Sequence, residues 1–352
     1  MSAPTDSSGA GSSRPASAAG AHAETGGAAR GPASATPAPP AGSSPPAPSR
    51  GGDAARGRWL VFAATFFWGT SATLARFVFR DRHVPALTVV ELRLLIAVAL
   101  LGAWLAWRNP RALRVRRADW GYFLVLGLFG VATIQGTYYY TISVLGVGLA
   151  ILLQYLAPSL IVLYDALRGA AIGRATLAAV LLALVGTALL VANVNPAALH
   201  ARPRDWLIGF SSAFAFAFYI VFSKRGLSRY APETVLFHTF LIAGLFWAVV
   251  TPPSRILAAG YEASLWWLFA ALGVFSTLVP FAFFYAGLRR LPAAEAGIVA
   301  TLEPVVAVVS AAALLGEGLR PAQWLGALFV LVASAMASRR VPEAVPAQVE
   351  RG

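Results

Sequence analysis

Residues 294–315 read AEAGIVATLEPVVAVVSAAALL. At 1.5 Å per residue this stretch extends roughly 33 Å as a helix, enough to cross about 30 Å of hydrocarbon. Two residues set it apart from a plain lipid anchor. Glu303 stands about nine residues in, roughly 13 Å deep, near the middle of the span. An ionisable group at that depth is costly unless it is paired or wetted. Pro304 follows it, removes a backbone donor and clashes with the preceding turn, so the helix bends and frees carbonyls around a cavity. Ala296, Ala300, Ala307 and Ala311 recur every three or four positions, which suits close helix packing.

Outward from this stretch the pattern repeats. Apolar blocks run over approximately 59–79, 86–107, 120–143, 147–168, 175–192, 206–223, 233–251, 264–286, 294–315 and 321–338, with Pro, Gly and Arg at the joints. The 352-residue chain is 58% hydrophobic and 12% charged, with a mean hydropathy of +0.66. A soluble domain carries roughly 25% charged residues, so a soluble enzyme is excluded as the simplest reading. Only helices satisfy their own backbone groups in lipid at this span length, and the fold expected is an all-α integral membrane protein with ten transmembrane helices. Residues 1–58 are Ala, Gly, Ser and Pro with scattered arginine, too poor in apolar surface to order themselves, and read as a disordered tail. Residues 340–352 form a second tail.

The net charge of +13 comes almost wholly from arginine, Lys224 being the single lysine. With the amino terminus inside, the inner segments hold 16 Lys/Arg and the outer ones 6. The positive-inside rule then places both termini in the cytoplasm. Excess cations in such a chain report orientation and anionic lipid rather than nucleic acid, and no nucleic-acid partner is expected. Cysteine is absent, and His22, His83, His200 and His238 are dispersed, so thiolate and histidine-paired metal sites have no ligands. No metal or cofactor is expected.

The two halves match at an offset of roughly 146 to 148 residues. Pro158 aligns with Pro304, Tyr139 with Tyr285, Trp59-Leu60 with Trp206-Leu207, and Arg76 with Lys224. Five spans per half is an odd number, so the second copy is inverted relative to the first: residues 59–193 form one repeat and 204–339 the other. Inverted repeats mark secondary transporters, whose substrate site lies near the midplane between the copies. The copies differ chemically, since Ala157 stands opposite Glu303 and Ala171 opposite Glu317.

The second half resembles the EamA domain of the drug/metabolite transporter superfamily. The resemblance rests on Thr301-Leu302-Glu303-Pro304-Val305-Val306-Ala307 followed by Leu315-Gly316-Glu317, and on Trp324-Leu325-Gly326-Ala327. In the first half, Phe67-Trp68-Gly69 is similar to the family's first-helix element, and Arg93 matches the arginine of its second helix. The resemblance covers residues 59 to 339 and implies a metabolite transporter; the arginine-for-lysine bias and the absence of targeting signals fit a bacterial inner membrane. The alanines at 157 and 171 depart from any pattern that assumes a glutamate in each copy.

The residues expected to meet a substrate or a coupling ion are those whose polarity is anomalous at depth. Glu303 would bind an ammonium group or carry a coupling proton. Glu91 and Arg93 lie roughly 8 and 11 Å into the second span and point to nearly opposite sides, so at least one needs a partner on another helix. Arg93 would take a substrate carboxylate or serve as a structural cation. Trp68, Gln135, Tyr139, Gln154, Tyr155 and Tyr285 sit where apolar residues would suffice, and their hydroxyl and amide groups need partners in lipid. Tyr138, Tyr139 and Tyr140 are consecutive, about 100° apart, so only some share a cavity. Pro158 and Pro304 would bend their helices. Glu317, beside Arg320, reads as a structural clasp at a span end.

The function expected is secondary transport, with export of small metabolites such as amino acids by alternating access between the repeats. Partners would be a small-molecule substrate and the bilayer; proton coupling and facilitated exchange without an ion are equally allowed, and nothing in the sequence sets the oligomeric state. ATP drive is excluded within the chain, because no Gly-x-x-x-x-Gly-Lys occurs. A nucleotide-sugar or phosphate-ester carrier of the same superfamily is the alternative; it would need several deep basic residues, and only Arg93 is deep. An intramembrane enzyme would need a paired nucleophile and base, which are not apparent.

Overall fold

Where the apolar runs break, so do the helices. The computed structural model describes residues 50–80, 84–191, 201–315 and 320–338, and those residues contain helices and no strand. Residues 1–49 of the expected amino-terminal tail, the tail from 340 and Glu317 lie outside the described residues, whereas residues 50–58, read as part of that tail, form the start of the first helix. In chain order the helices are α1 (Arg50–Arg80), α2 (Ala86–Arg108), α3 (Trp120–Val125), α4 (Thr133–Leu145), α5 (Val147–Gln154), α6 (Ala157–Leu167), α7 (Arg174–Leu190), α8 (Pro203–Leu227), α9 (Pro232–Val250), α10 (Pro253–Ala258), α11 (Ala263–Ala271), α12 (Val279–Leu288), α13 (Ala293–Ala300), α14 (Leu302–Leu315) and α15 (Pro321–Ser338). Helix starts follow proline signals. Pro203, Pro232, Pro253 and Pro321 each open a helix at a position whose N–H would be unpaired anyway.

Seven helical stretches among the described residues are long and apolar enough to cross a membrane by length and composition, and Arg174–Leu190 and Pro321–Ala337 are shorter apolar helices. The surface matches that reading. Leu207, Val249 and Trp267 are each at least 70% exposed, an arrangement that water penalises and lipid does not. The interior instead collects polar groups, including Thr141, Thr187, Ser212 and Thr239 at 0% exposure.

Several long helices are interrupted, and the interruptions recur in both halves. The seven residues Leu126–Ala132 and the seven residues Leu272–Leu278 are π-helical, the second stretch starting 146 positions after the first. A π stretch carries an extra residue and leaves carbonyls without their usual partners. Both stretches lend a carbonyl to a side chain from another helix: Trp247 Nε1 donates to Ala132 O at 3.3 Å, and Arg93 Nη2 to Ser276 O at 3.1 Å. Helix α5 stops at Gln154 and α13 at Ala300, again 146 apart, and α6 and α14 resume with Pro158 and Pro304 in their first turns.

Close helix crossings depend on missing side chains. A Cβ on Gly326 of α15 would lie 2.6 Å from the Gly186 carbonyl oxygen of α7, and one on Gly186 would lie 2.8 Å from that of Gly326. The two backbones therefore touch, and an alanine at either place would force them apart. Charged side chains tie the helix ends. Arg58 Nε donates to Glu295 Oε1 at 2.7 Å, and Lys224 Nζ donates to the Leu288 and Leu291 carbonyls at 2.8 and 2.7 Å. The latter two bonds satisfy carbonyls at and beyond the end of α12. Replacing Lys224 with methionine removes both and is expected to cost about 1.5–3 kcal/mol per charged bond lost. The check is a lowered thermal midpoint of the purified protein, with transport per folded molecule retained.

Candidate functional site

The interruptions enclose a cavity of about 80 Å³ at the meeting point of α1, α2, α4, α5, α8, α12 and α14. Six of the residues that looked anomalous in the sequence line it: Trp68, Arg93, Gln135, Tyr139, Gln154 and Glu303. Tyr138 joins them. Three helices bring the two charged members and Trp68 to one place. Helix α2 supplies Arg93, α14 supplies Glu303 directly after the break at Thr301, and α1 supplies Trp68.

Arg93 is 2% exposed and held on three sides. Its Nε donates to Thr277 Oγ1 at 2.7 Å and its Nη2 to the Ser276 carbonyl, while its guanidinium lies over the Tyr139 ring, 4.8 Å from the centroid. The stacking and the forked bonds use the planar guanidinium in a way an ammonium could not. Its Nη1 has no partner. Glu303 is fixed on one side only: Tyr155 donates its hydroxyl to Glu303 Oε2 at 2.7 Å. Among the described residues no ion pair within 4 Å joins Arg93 to Glu303. The guanidinium and the carboxyl group thus share one cavity wall without a direct ion pair.

The neutral members are also incompletely matched. Gln135 Nε2 and Gln154 Oε1 are buried without partners. A buried amide atom left unpaired costs about 1–3 kcal/mol, so a solute that completes these bonds recovers that cost. Aromatic rings close the rest of the wall, with Trp68 edge-on to Phe281 at 5.0 Å between centroids.

Glycine at position 69 explains how α1 reaches this wall. A Cβ there would lie 2.8 Å from the Glu303 carbonyl oxygen, 2.8 Å from Val306 Cβ and 2.9 Å from the Ala307 nitrogen. The Trp68-Gly69 pair of the first half is therefore in backbone contact with the Glu303-Pro304 segment of the second.

Three expected site residues fall elsewhere. Tyr155 is buried behind Glu303 and reaches the cavity only through that carboxylate. Tyr285 is fully buried and accepts a hydrogen bond from Ser223 Oγ at 3.4 Å, away from the lining. Glu91, on the side of α2 away from Arg93, does not line the cavity. Ser276 and Thr277, which grip Arg93, were not evident in the sequence; a Ser-Thr pair inside an apolar span was their only mark.

This cavity can be set beside known proteins. A model of the EamA-like transporter family matches residues 55–192 and, a second time, residues 206–339. The chain belongs to the EamA-like transporter family. It is a membrane transporter of that type, and it is 28% identical over 283 residues to the inner membrane transporter YicL of Salmonella typhimurium, covering 80% of this chain and 94% of YicL. The threonine/homoserine exporter RhtA of Escherichia coli K12 is 28% identical over 275 residues, covering 76% of this chain and 85% of RhtA. A transporter from Archaeoglobus fulgidus is 30% identical over 218 residues, or 61% of this chain and 76% of the relative. A crystal structure of another protein superposes with a TM-score of 0.66 at 24% identity, covering 83% of this chain and 100% of that one, which shows a shared fold.

Removing the Tyr155 hydroxyl tests how the EamA chain holds its acid. Tyr155→Phe takes away the donor given for Glu303 and is expected to cost about 1.5 kcal/mol of stability, the worth of one hydrogen bond to a charged group. The measurement is a lowered thermal midpoint of the purified protein.

Proposed function

We propose that the chain is a secondary exporter of small zwitterionic metabolites, amino acids foremost, working by alternating access between two inverted five-helix halves in a bacterial inner membrane with both termini cytoplasmic. One observation carries the substrate class. The cavity wall presents a guanidinium with a free Nη1 and a carboxylate bonded by a single tyrosine, and the two are not paired with each other. An α-amino acid offers the complement, a carboxylate for Arg93 and an ammonium for Glu303. The unmatched amides of Gln135 and Gln154 are then available to a polar side chain. The small cavity favours small substrates.

The recurrence of the π stretches and of the helix breaks 146 residues apart supports two copies of one unit. The double match to one family model supports it independently. Five spans in each copy give the inversion, with the substrate site between the copies near the midplane. RhtA, named for threonine and homoserine export, supports the direction and the class. The excess of arginine in the inner segments supports the orientation. A single deep arginine, by contrast, is a poor match for a phosphate ester.

Efflux from intact bacteria preloaded with a pool of labelled amino acids tests the proposal. Wild type is expected to empty a subset of small polar amino acids faster than the empty vector, and Glu303→Gln to abolish the difference. Equal rates in wild type and vector for every amino acid would sink the substrate class. Equal export by wild type and Glu303→Gln would remove Glu303 from the binding site.

A further inference from the structure

Glu91 has no place in the cavity, and its surroundings are unusual. It is 0% exposed, and neither Oε1 nor Oε2 has a hydrogen-bond partner. Seven consecutive residues of α2, Thr88 to Leu94, are buried, so this turn is enclosed on every face. Among the described residues no basic group lies within 4 Å of the carboxylate.

The elements packed on α2 are α9, the π stretch Leu272–Leu278, α4, α11 and the turn Pro110–Leu113. Their ionisable groups are engaged or directed elsewhere. On α9, His238 Nδ1 meets the Thr234 carbonyl and its ring stands against Trp120 and Phe123, while Glu233 is in the half-buried first turn. On α4, Tyr138 and Tyr139 face the cavity and Tyr140 donates to Asp205. Arg111 of the turn is exposed, and the π stretch and α11 contain no ionisable residue. A charged carboxylate in such a place, with no partner, is strongly disfavoured. A neutral carboxylic acid is tolerated, and retaining one in an otherwise apolar turn calls for a use.

We propose that Glu91 is a proton-exchange site of this transporter. Its carboxylate takes a proton from water on one side of the membrane, becomes the neutral acid while enclosed as seen here, and returns the proton to water on the other side. No further reactant is needed. The proposal rests on the transport reading and adds the coupling ion to it. The lever is α2 itself. Positions 91 and 93 are about 200° apart on a helix, so a rotation or tilt of α2 that brings Glu91 to water must turn Arg93 in the cavity. Proton exchange on one face and carboxylate binding on the other are then mechanically linked through one turn.

The test uses purified full-length protein in liposomes, with a pool of labelled amino acids as probe and a trapped pH-sensitive dye. Wild type is expected to show counterflow without a pH gradient, faster net movement with one, and dye-detected proton flux that depends on substrate. Glu91→Gln is expected to keep counterflow within about twofold while losing both the gradient response and the coupled proton flux. A gradient response retained in Glu91→Gln, or missing from wild type, overturns the proposal while counterflow leaves the transport reading standing. Absence of counterflow from wild type overturns the transport reading itself. Should the glutamine variant not fold, Glu91→Asp carries the test: a displaced pH profile of the gradient-driven rate supports the proposal, and an unmoved profile overturns it.

Discussion

Replacing Arg93 with glutamine is expected to reduce efflux to the level of the empty vector. The guanidinium has three attachments, to Thr277, to the Ser276 carbonyl and to the Tyr139 ring, and one nitrogen, Nη1, without a hydrogen-bond partner. Glutamine is neutral and too short to keep the stack and the forked bonds together. Substrate carboxylate would then face a wall with no positive charge, next to the carboxylate of Glu303. Each charged hydrogen bond lost is worth about 1.5–3 kcal/mol, or roughly 10- to 150-fold in affinity. Arg93→Lys separates charge from geometry. Its ammonium keeps the charge as a compact point, so it reaches either Thr277 or the substrate well, not both. The expected result is a KM raised by about 10-fold or more with the maximal rate largely kept. If Arg93→Gln transports like wild type with an unchanged thermal midpoint, the arginine is a structural cation and the zwitterion reading fails.

The second large effect is expected from Gly69→Leu. The approach of α1 to α14 leaves no room even for a methyl group, since two of the three nearest atoms to a Cβ are backbone atoms, Glu303 O and Ala307 N. Overpacking of a core contact costs about 1–3 kcal/mol, occasionally more, and here the backbone cannot yield as a side-chain tip would. Gly69→Ala should lower the thermal midpoint of the purified protein and Gly69→Leu should prevent accumulation of folded protein. Adding Val306→Gly should not rescue either variant, because it removes the Cβ that makes the single side-chain contact and leaves both backbone contacts. Rescue would show that side-chain crowding alone sets this crossing.

The helices were legible because the apolar blocks are near membrane length and end at Pro, Gly and Arg. The break before Glu303 was legible through Pro304, and its counterpart through Pro158. The π stretches were not: Leu126–Ala132 and Leu272–Leu278 are ordinary apolar sequence, and an extra residue in a helix follows from how neighbours pack on it. At the site, Arg93, Glu303, Trp68, Tyr139 and Gln154 stood out since polar and aromatic groups at depth need partners. The same rule also picked Tyr285, whose hydroxyl is matched by Ser223 outside the cavity. Depth along the chain is readable from residue count, whereas the direction a side chain takes around its helix depends on the whole bundle. Thr277 was hidden for another reason, because helix threonines commonly bond to a carbonyl of their own helix. Here Thr277 Oγ1 does so, with Leu272 O at 3.3 Å, as well as serving Arg93.

The single arginine and single glutamate of the cavity wall have a consequence for the membrane voltage. One elementary charge moved through 100 mV is worth about 2.3 kcal/mol. With both groups ionised, the wall sums to zero, and a zwitterion added to it leaves zero. The loaded and the empty carrier then reorient with the same charge, so the potential does no net work on either passage through this cavity. Any voltage dependence of the full cycle then belongs to a group outside this cavity, the role proposed for Glu91.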